Sequence, residues 1–206
     1  MTVAEAQPLL SFDVGTAARP IPGEAVCGDL GRVFEEIGGG RLVALADGLG
    51  HGAGAAAAAA RFCEIVEQRQ AEPLDSILRV AATQLVGTRG AAGALLRLLP
   101  RGQLQFAGVG NIGLAARAAV PVSAFSTAGI LGRRIRTVRT WEGRLSVGDG
   151  LILYTDGIAL RSEVTELPWG LPAAAIAEAM LRGYGKPNDD ATCTVVRCLR
   201  AATRDP

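Results

Sequence analysis

The stretch that most limits what this chain can become runs from Arg41 to Arg69, RLVALADGLGHGAGAAAAAARFCEIVEQR. Arg41 to Ala46 is a short apolar run of the length of a buried strand. Asp47-Gly48-Leu49-Gly50-His51-Gly52 is a turn built on glycine, and Ala53 to about Gln68 is a strong helix former. A carboxylate therefore leaves the end of a core strand beside glycines that let backbone carbonyls approach a ligand closely. A long helix then anchors the turn. That arrangement suits a hard metal ion held by oxygen atoms, here Asp47 and the carbonyl of Gly48.

Two other readings apply to the same residues. Gly50-His51-Gly52-Ala53-Gly54-Ala55 also fits a dinucleotide-binding loop between a strand and a helix. Such a loop calls for a second strand soon after the helix, ending in an acid for the ribose. Instead Glu64 to Glu72 is polar and helix-like, and Pro73 opens a second helical pattern. An acid directly before the glycines would also sit near the pyrophosphate. The third reading is an Asp that merely caps the following helix.

The 206 residues suit one domain, 1–206, with a full core. With 49% hydrophobic and 20% charged residues the chain is globular rather than disordered. A net charge of +1 gives no reason to expect nucleic acid or an anionic membrane as the main partner. No basic-then-apolar signal segment opens the sequence and no apolar run reaches membrane-spanning length, so a cytoplasmic protein is expected. Cys27, Cys63, Cys193 and Cys198 show no C-x-x-C pairing, and there is one histidine, so a zinc set is excluded. The cysteines read as small buried hydrophobes. Any hard-metal site must be made of Asp and Glu.

The rest of the chain reads as strands over Leu9–Val14, Leu30–Ile37, Ala91–Leu98, Gln103–Val109, Ile112–Arg117, Leu151–Thr155 and Ala191–Leu199. Helices are predicted over Leu74–Val86 and Leu171–Leu181. Arg19-Pro20-Ile21-Pro22-Gly23 is a rigid turn, and Gly38-Gly39-Gly40 is a hairpin connection that would bring Asp29 and Asp47 to one edge of a sheet. Gly110-Asn111 reads as a tight turn, giving three successive hairpin-like runs and an antiparallel sheet. Residues 118–148 read as irregular, and the tail from Arg200 as frayed. Arg133, Arg134, Arg136 and Arg139 read as solvated surface or as a docking patch for an acidic or phosphorylated partner. Two sheets with helices outside satisfy this order of elements.

Asp29, Asp47, Asp156 and Asp189-Asp190 all stand at strand ends beside glycine or polar turns. Singly, each reads as a turn or cap residue. Together they would repel one another, and a pair of divalent ions would remove that repulsion. In two-metal sites the ions polarise a shared water, which becomes a nucleophile toward a phosphoester.

Gly28-Asp29, Ala46-Asp47-Gly48-Leu49-Gly50-His51-Gly52, Gly148-Asp149-Gly150 through Tyr154-Thr155-Asp156-Gly157-Ile158, and Asp189-Asp190-Ala191-Thr192 occur in order. Thr88-Arg89-Gly90-Ala91 and Gly108-Val109-Gly110-Asn111 lie between them. The ordered set, from Arg19 to Arg197, resembles the metal-dependent protein phosphatases of the 2C type (PPM), in their compact bacterial SpoIIE branch and nearest its stressosome phosphatases. The resemblance implies an α+β fold, a four-layer αββα sandwich of two antiparallel β-sheets flanked by helices, with two Mn²⁺ or Mg²⁺ ions at one end. It implies that Asp47 bridges the ions, that the carbonyl of Gly48 binds one, and that Asp156 and Asp189 bind the other. Asp29 would act through coordinated water, and Asp190 from behind the ligands. The reaction implied is hydrolysis of phosphoserine or phosphothreonine on a protein by metal-activated water, without a phosphoenzyme.

Two departures from the larger relatives bear on the site. Leu49 stands where they carry a histidine, so His51 is expected to orient the loop or a water. Their phosphate-binding arginine has no clear counterpart near the N-terminus; Arg19 and Arg89 are candidates, and either is equally a structural residue. The partners implied are phosphorylated scaffold proteins of a stressosome, of the sulfate-transporter/anti-sigma-antagonist type. An inactive binding protein on the same fold is the alternative.

Overall fold

The computed structural model describes residues 8–119, 122, 124–160 and 163–202, and its layers follow from the apolar run at Leu42–Ala46. That run lies in β3 (Gly40–Gly48). Leu42, Ala44 and Ala46 face one way, onto α1 (Gly52–Gln68) and α2 (Leu74–Gln84). Val43 and Leu45 face the other way, into the space between two sheets. A strand covered on both faces carries an unbroken apolar run instead of an alternating one.

The first sheet has the order β2 (Asp29–Glu36), β3, β4 (Ala91–Leu98), β5 (Gln103–Val109), β7 (Thr140–Arg144). The second has the order β1 (Leu10–Arg19), β9 (Ala191–Arg200), β8 (Gly150–Tyr154), β6 (Gly113–Arg117). All strand pairings in both sheets are antiparallel. Phe12, Leu96, Phe106, Leu153 and Val196 fill the space between them. On the far face of the second sheet, Ile176, Ala177 and Met180 of α3 (Ala173–Tyr184) pack on Ala17, Ile152, Cys193 and Val195. The result is the expected four-layer αββα sandwich, with no strand–helix–strand crossover of the dinucleotide kind around α1.

β1, at the edge of the second sheet, and α3 are fastened together by one residue. The Asp13 carboxylate accepts from the first free amide of α3, Ala173 N, at 2.9 Å and from Arg197 Nη1 at 3.0 Å. It caps from across the interface a helix whose own N-cap, Pro172, has no side chain to do so. Two residues on, α3 crosses β1 so closely that a Cβ at Gly15 would overlap the backbone of Ala174. Gly15→Ala is therefore expected to destabilise the fold by ~1–3 kcal/mol, seen as a lower thermal midpoint.

Several elements differ from the sequence expectation. β6 does not form a hairpin with β5. Gly110-Asn111 carries the chain from one sheet to the other, where β6 pairs with β8. The edge of β5 is taken by β7, inside the stretch read as irregular. β7 is a half-exposed edge strand, TWEGR, without an apolar run to announce it. β1 continues past Val14 to Arg19 because β9 supplies a partner for each residue, from Leu10↔Arg200 to Arg19↔Ala191. The same pairing holds Arg200 in a strand, and the tail beyond residue 202 lies outside the described residues. α3 starts after Pro172 and not at Leu171, and a 3₁₀ turn at Glu163–Glu166 was not anticipated.

All four cysteines are free, with Cys63, Cys193 and Cys198 buried as expected. Among the described residues no helix is long and apolar enough to cross a membrane.

Candidate metal centre

The glycine hairpin sets the site. Gly38 and Gly39 adopt φ of 84° and 90°, a left-handed turn that starts the β2–β3 ladder at Glu36↔Gly40. From there the register runs to Asp29↔Asp47, so the two acids stand directly opposite each other, with Cβ atoms about 5 Å apart by sheet geometry. The sequence anticipates the two acids at one sheet edge, and the structure adds the register that pairs them directly.

The second sheet brings the other acids. Thr155, at the end of β8 and wholly buried, donates to Asp29 Oδ2 at 2.7 Å, tying one sheet to the other. Asp156 follows it and accepts from Asn111 Nδ2 at 2.7 Å. Asp189 and Asp190 precede β9, the neighbour of β8. Asp190 is buried; its Oδ1 accepts from Ile21 N at 2.9 Å, and its Oδ2 is buried with no hydrogen-bond partner. The amide between Pro20 and Pro22 thus ties the rigid loop after β1 to the acids.

Asp47, Asp156 and Asp189 line one open cleft of about 620 Å³, together with Gly50, His51 and Asn111. Asp29 and Asp190 are buried. None of the five carboxylates makes an ion pair with Arg, Lys or His among the described residues.

Burial, with like charge adding to it, shifts the titration of Asp29, Asp47 and Asp189. Burial, then the Asp47 charge, pushes Asp29 up to about 8 from an ordinary 3.8, against the pull of the Thr155 hydroxyl. Burial, then Asp156 and Asp189, raises Asp47 to about 7. Burial also raises Asp189, with Asp156 adding to it and Lys186 opposing it.

Backbone clearance is tight around the acids. A Cβ at Gly28 would meet Asp190 Oδ2 at 2.6 Å. One at Gly48 would overlap the Ala55 carbonyl in α1, and one at Gly157 the Asp190 carbonyl. Gly157→Ala is therefore expected to push the 189–190 turn away from Asp156. A fold that survives this change while losing Mn²⁺-induced thermal stabilisation is the outcome to look for in a melting experiment.

The remaining predicted residues lie at the rim. His51 lines the cleft, and its Nδ1 is 2.6 Å from Glu24 Oε1. Arg89 donates to the His51 carbonyl at 2.9 Å and lies over Gly54, bracing the turn. Arg19 donates to the Lys186 carbonyl, holding the loop that carries Asp189. Both arginines thus have structural partners. The structure adds Thr155, Asn111 and Glu24 to the site. Thr155 and Asn111 do lie within or beside the sequence motifs, whereas Glu24 has only its place after the proline turn.

Among the described residues no three His, Cys, Asp or Glu side chains form a ready-made coordination group. Two of the acids are turned to partners instead, Asp29 to Thr155 and Asp156 to Asn111. An all-carboxylate donor set with an orphaned buried oxygen on Asp190 nonetheless fits a hard divalent cation and no softer metal.

No family model matches the chain. It is 25% identical over 174 residues to the phosphoserine phosphatase RsbX of Bacillus subtilis (strain 168), covering 82% of this chain and 86% of RsbX. A solved structure described as "The bacterial stressosome: a modular system that has been adapted to control secondary messenger signaling" is 31% identical. It superposes with a TM-score of 0.86 over 91% of this chain and 100% of that one. RsbX in complex with magnesium shares the fold, with a TM-score of 0.76 at 21% identity, over 91% of this chain and 95% of that one. With its antiparallel αββα sandwich and its acids ordered along the strand ends, the chain belongs to the metal-dependent protein-serine/threonine phosphatases of the 2C type, in their SpoIIE and RsbX branch.

Proposed function

We propose that residues 1–206 form one phosphatase domain that holds two Mn²⁺ or Mg²⁺ ions through Asp29, Asp47, the carbonyl of Gly48, Asp156 and Asp189. The observation that carries this reading is the Asp29↔Asp47 pair with Asp156 and Asp189 beside it and, among the described residues, no cationic side chain paired to any of them. When bound, the ions supply Lewis acidity toward phosphoryl oxygens and a water of lowered pKa.

The chain's own residues do the positioning. Asp47 lies both in the cleft and opposite Asp29, where its carboxylate would help to hold the ions. Thr155 fixes the Asp29 carboxylate, Asn111 fixes that of Asp156, and Asp190 holds the loop at Ile21. Arg89 and the Glu24–His51 pair hold the glycine turn that carries the Gly48 carbonyl. Partners that orient metal ligands are typically worth about 10–100-fold in metal affinity or activity. Thr155→Val and Asn111→Ala are each expected to lower Mn²⁺ affinity by ~10-fold or more in titration calorimetry, with the circular dichroism spectrum unchanged.

The substrates we propose are phosphoserine or phosphothreonine residues on stressosome scaffold proteins of the sulfate-transporter/anti-sigma-antagonist type, in the cytoplasm. Likeness to a phosphoserine phosphatase and to a structure described in a stressosome context supports this choice. The test is release of phosphate from such a phosphorylated scaffold protein, with Mn²⁺ and with chelator, beside an unrelated phosphoprotein. Preferential, chelator-sensitive release supports the assignment, and equal release from both discards the stressosome substrate.

A binding protein on the same fold is the second reading, favoured by the lack of a ready-made coordination group among the described residues. Such a protein should keep its partner in chelator and in the Asp47→Asn and Asp156→Asn variants.

A further inference from the structure

One segment joins the acid cleft to a second groove. Ala128, Gly129 and Ile130 line the cleft, and Gly132 to Arg136 line a separate groove of about 520 Å³ against α2. Two residues of extended chain span at most about 7 Å, so Ile130 and Gly132 are no farther apart than that.

The segment is pinned. Leu131 is wholly buried and exchanges hydrogen bonds with Ala91 at 2.9 and 3.1 Å. Gly132 N donates to the Ala82 carbonyl at 3.1 Å, and Gly132 sits at φ 94° against the Leu85 carbonyl. Ile135 packs on the helix-side core and Val138 is buried in it. With these apolar residues turned inward, Arg133, Arg134, Arg136 and Arg139 are exposed.

None of the four has a carboxylate within 4 Å among the described residues. Arg133, Arg134 and Arg136 line the groove, and Arg79 of α2 adds a fourth guanidinium to it, shared with Asp75 at 3.4 Å. Uncompensated guanidinium groups on a rigid support are suited to bidentate pairing with carboxylates. Their positive field also lies beside a cleft whose own charge is negative, so an acidic chain is drawn to the groove and not into the acids.

We propose that this arginine groove docks an acidic segment of the phosphoprotein substrate and so presents a phosphoserine a few residues away to the cleft. This rests on the phosphatase reading above and adds to it the chemistry that selects the substrate. At about 3.3 Å per extended residue, the acidic residues should lie roughly three to seven positions from the phosphoserine.

The test uses phosphoserine peptides with four Glu, or four Gln, starting three residues from the phosphoserine, on either side. Wild type is compared with the Arg133→Ala/Arg134→Ala/Arg136→Ala variant in Mn²⁺. Turnover of p-nitrophenyl phosphate is measured beside kcat/KM for each peptide, and fluorescence anisotropy gives peptide binding directly. Wild type should prefer a Glu peptide by ~10-fold in kcat/KM and in binding at low salt, as expected for several partly exposed charge pairs. The preference should shrink to about twofold in the variant and in ~0.5 M salt, where the Debye length is only a few Å, while p-nitrophenyl phosphate turnover is unchanged.

Equal handling of Glu and Gln peptides by wild type overturns the proposal, as does a preference that survives in the variant. Tighter binding of a single-stranded oligonucleotide than of the Glu peptides overturns it too. Absent turnover with the binding preference intact would instead sink the phosphatase reading and leave the groove standing.

Discussion

Replacing Asp47 by Asn is expected to lower metal-dependent phosphate release by on the order of 10³-fold or more, equivalent to about 4 kcal/mol of transition-state stabilisation, while making the metal-free protein more stable. The loss follows from the position of Asp47, at once in the cleft and opposite Asp29. The gain follows from its charge. Asp47 is half-buried beside Asp156, Asp189 and Asp190, and desolvation together with their charge raises its pKa to about 7. A neutral amide removes that repulsion. Set against the amide's own desolvation, the gain is ~1–2 kcal/mol at pH 8. For a chain of this size that corresponds to ~2–8 °C in melting temperature. A variant that is inactive and less stable would mean that Asp47 supports the fold and not a ligand.

The second large effect is the pH dependence of the metal-free protein. Asp29 and Asp47 hold their protons more tightly folded than unfolded, with pKa values of about 8 and about 7 against an ordinary 3.8. Their contribution to stability is fully present below about pH 4. It is lost as pH rises, through about 7 for Asp47 and then about 8 for Asp29. The metal-free melting temperature should therefore fall by several degrees between pH 6 and pH 9. Divalent metal must displace these protons, so Mn²⁺ should raise the melting temperature more at pH 8.5 than at pH 6. Asp29→Asn/Asp47→Asn should flatten the metal-free profile. A profile equally steep in the double variant would place the titrating groups elsewhere.

Much of the fold was legible because the local signals agreed. The strand at Leu42–Ala46 is apolar on both faces, the helix at Leu74 keeps its buried residues Ile77, Leu78 and Ala81 on one side, and the triple glycine fixes a hairpin register. The juxtaposition of Asp29 and Asp47 followed from that hairpin alone. Placing Asp156 and Asp189 beside them required the ordered motifs, since they belong to the other sheet and no local pattern reports contact between sheets. β7 was illegible because an edge strand such as Thr140–Arg144 buries little and carries no apolar run. The β5-to-β6 connection was misread because Gly110-Asn111 has the composition of a hairpin turn, whereas β7 occupies the β5 edge and β6 pairs with β8 in the other sheet. The Glu24–His51 pair joins residues 27 apart through loop geometry that composition does not encode.

The most direct measurement is hydrolysis of p-nitrophenyl phosphate by the purified protein with Mn²⁺, with Mg²⁺ and with chelator, beside Asp156→Asn. A metal phosphatase centre built from these acids predicts turnover that needs the divalent ion, disappears in chelator, returns on adding metal back, and is lost in the variant. Turnover unchanged by chelator, or retained in Asp156→Asn, would contradict it.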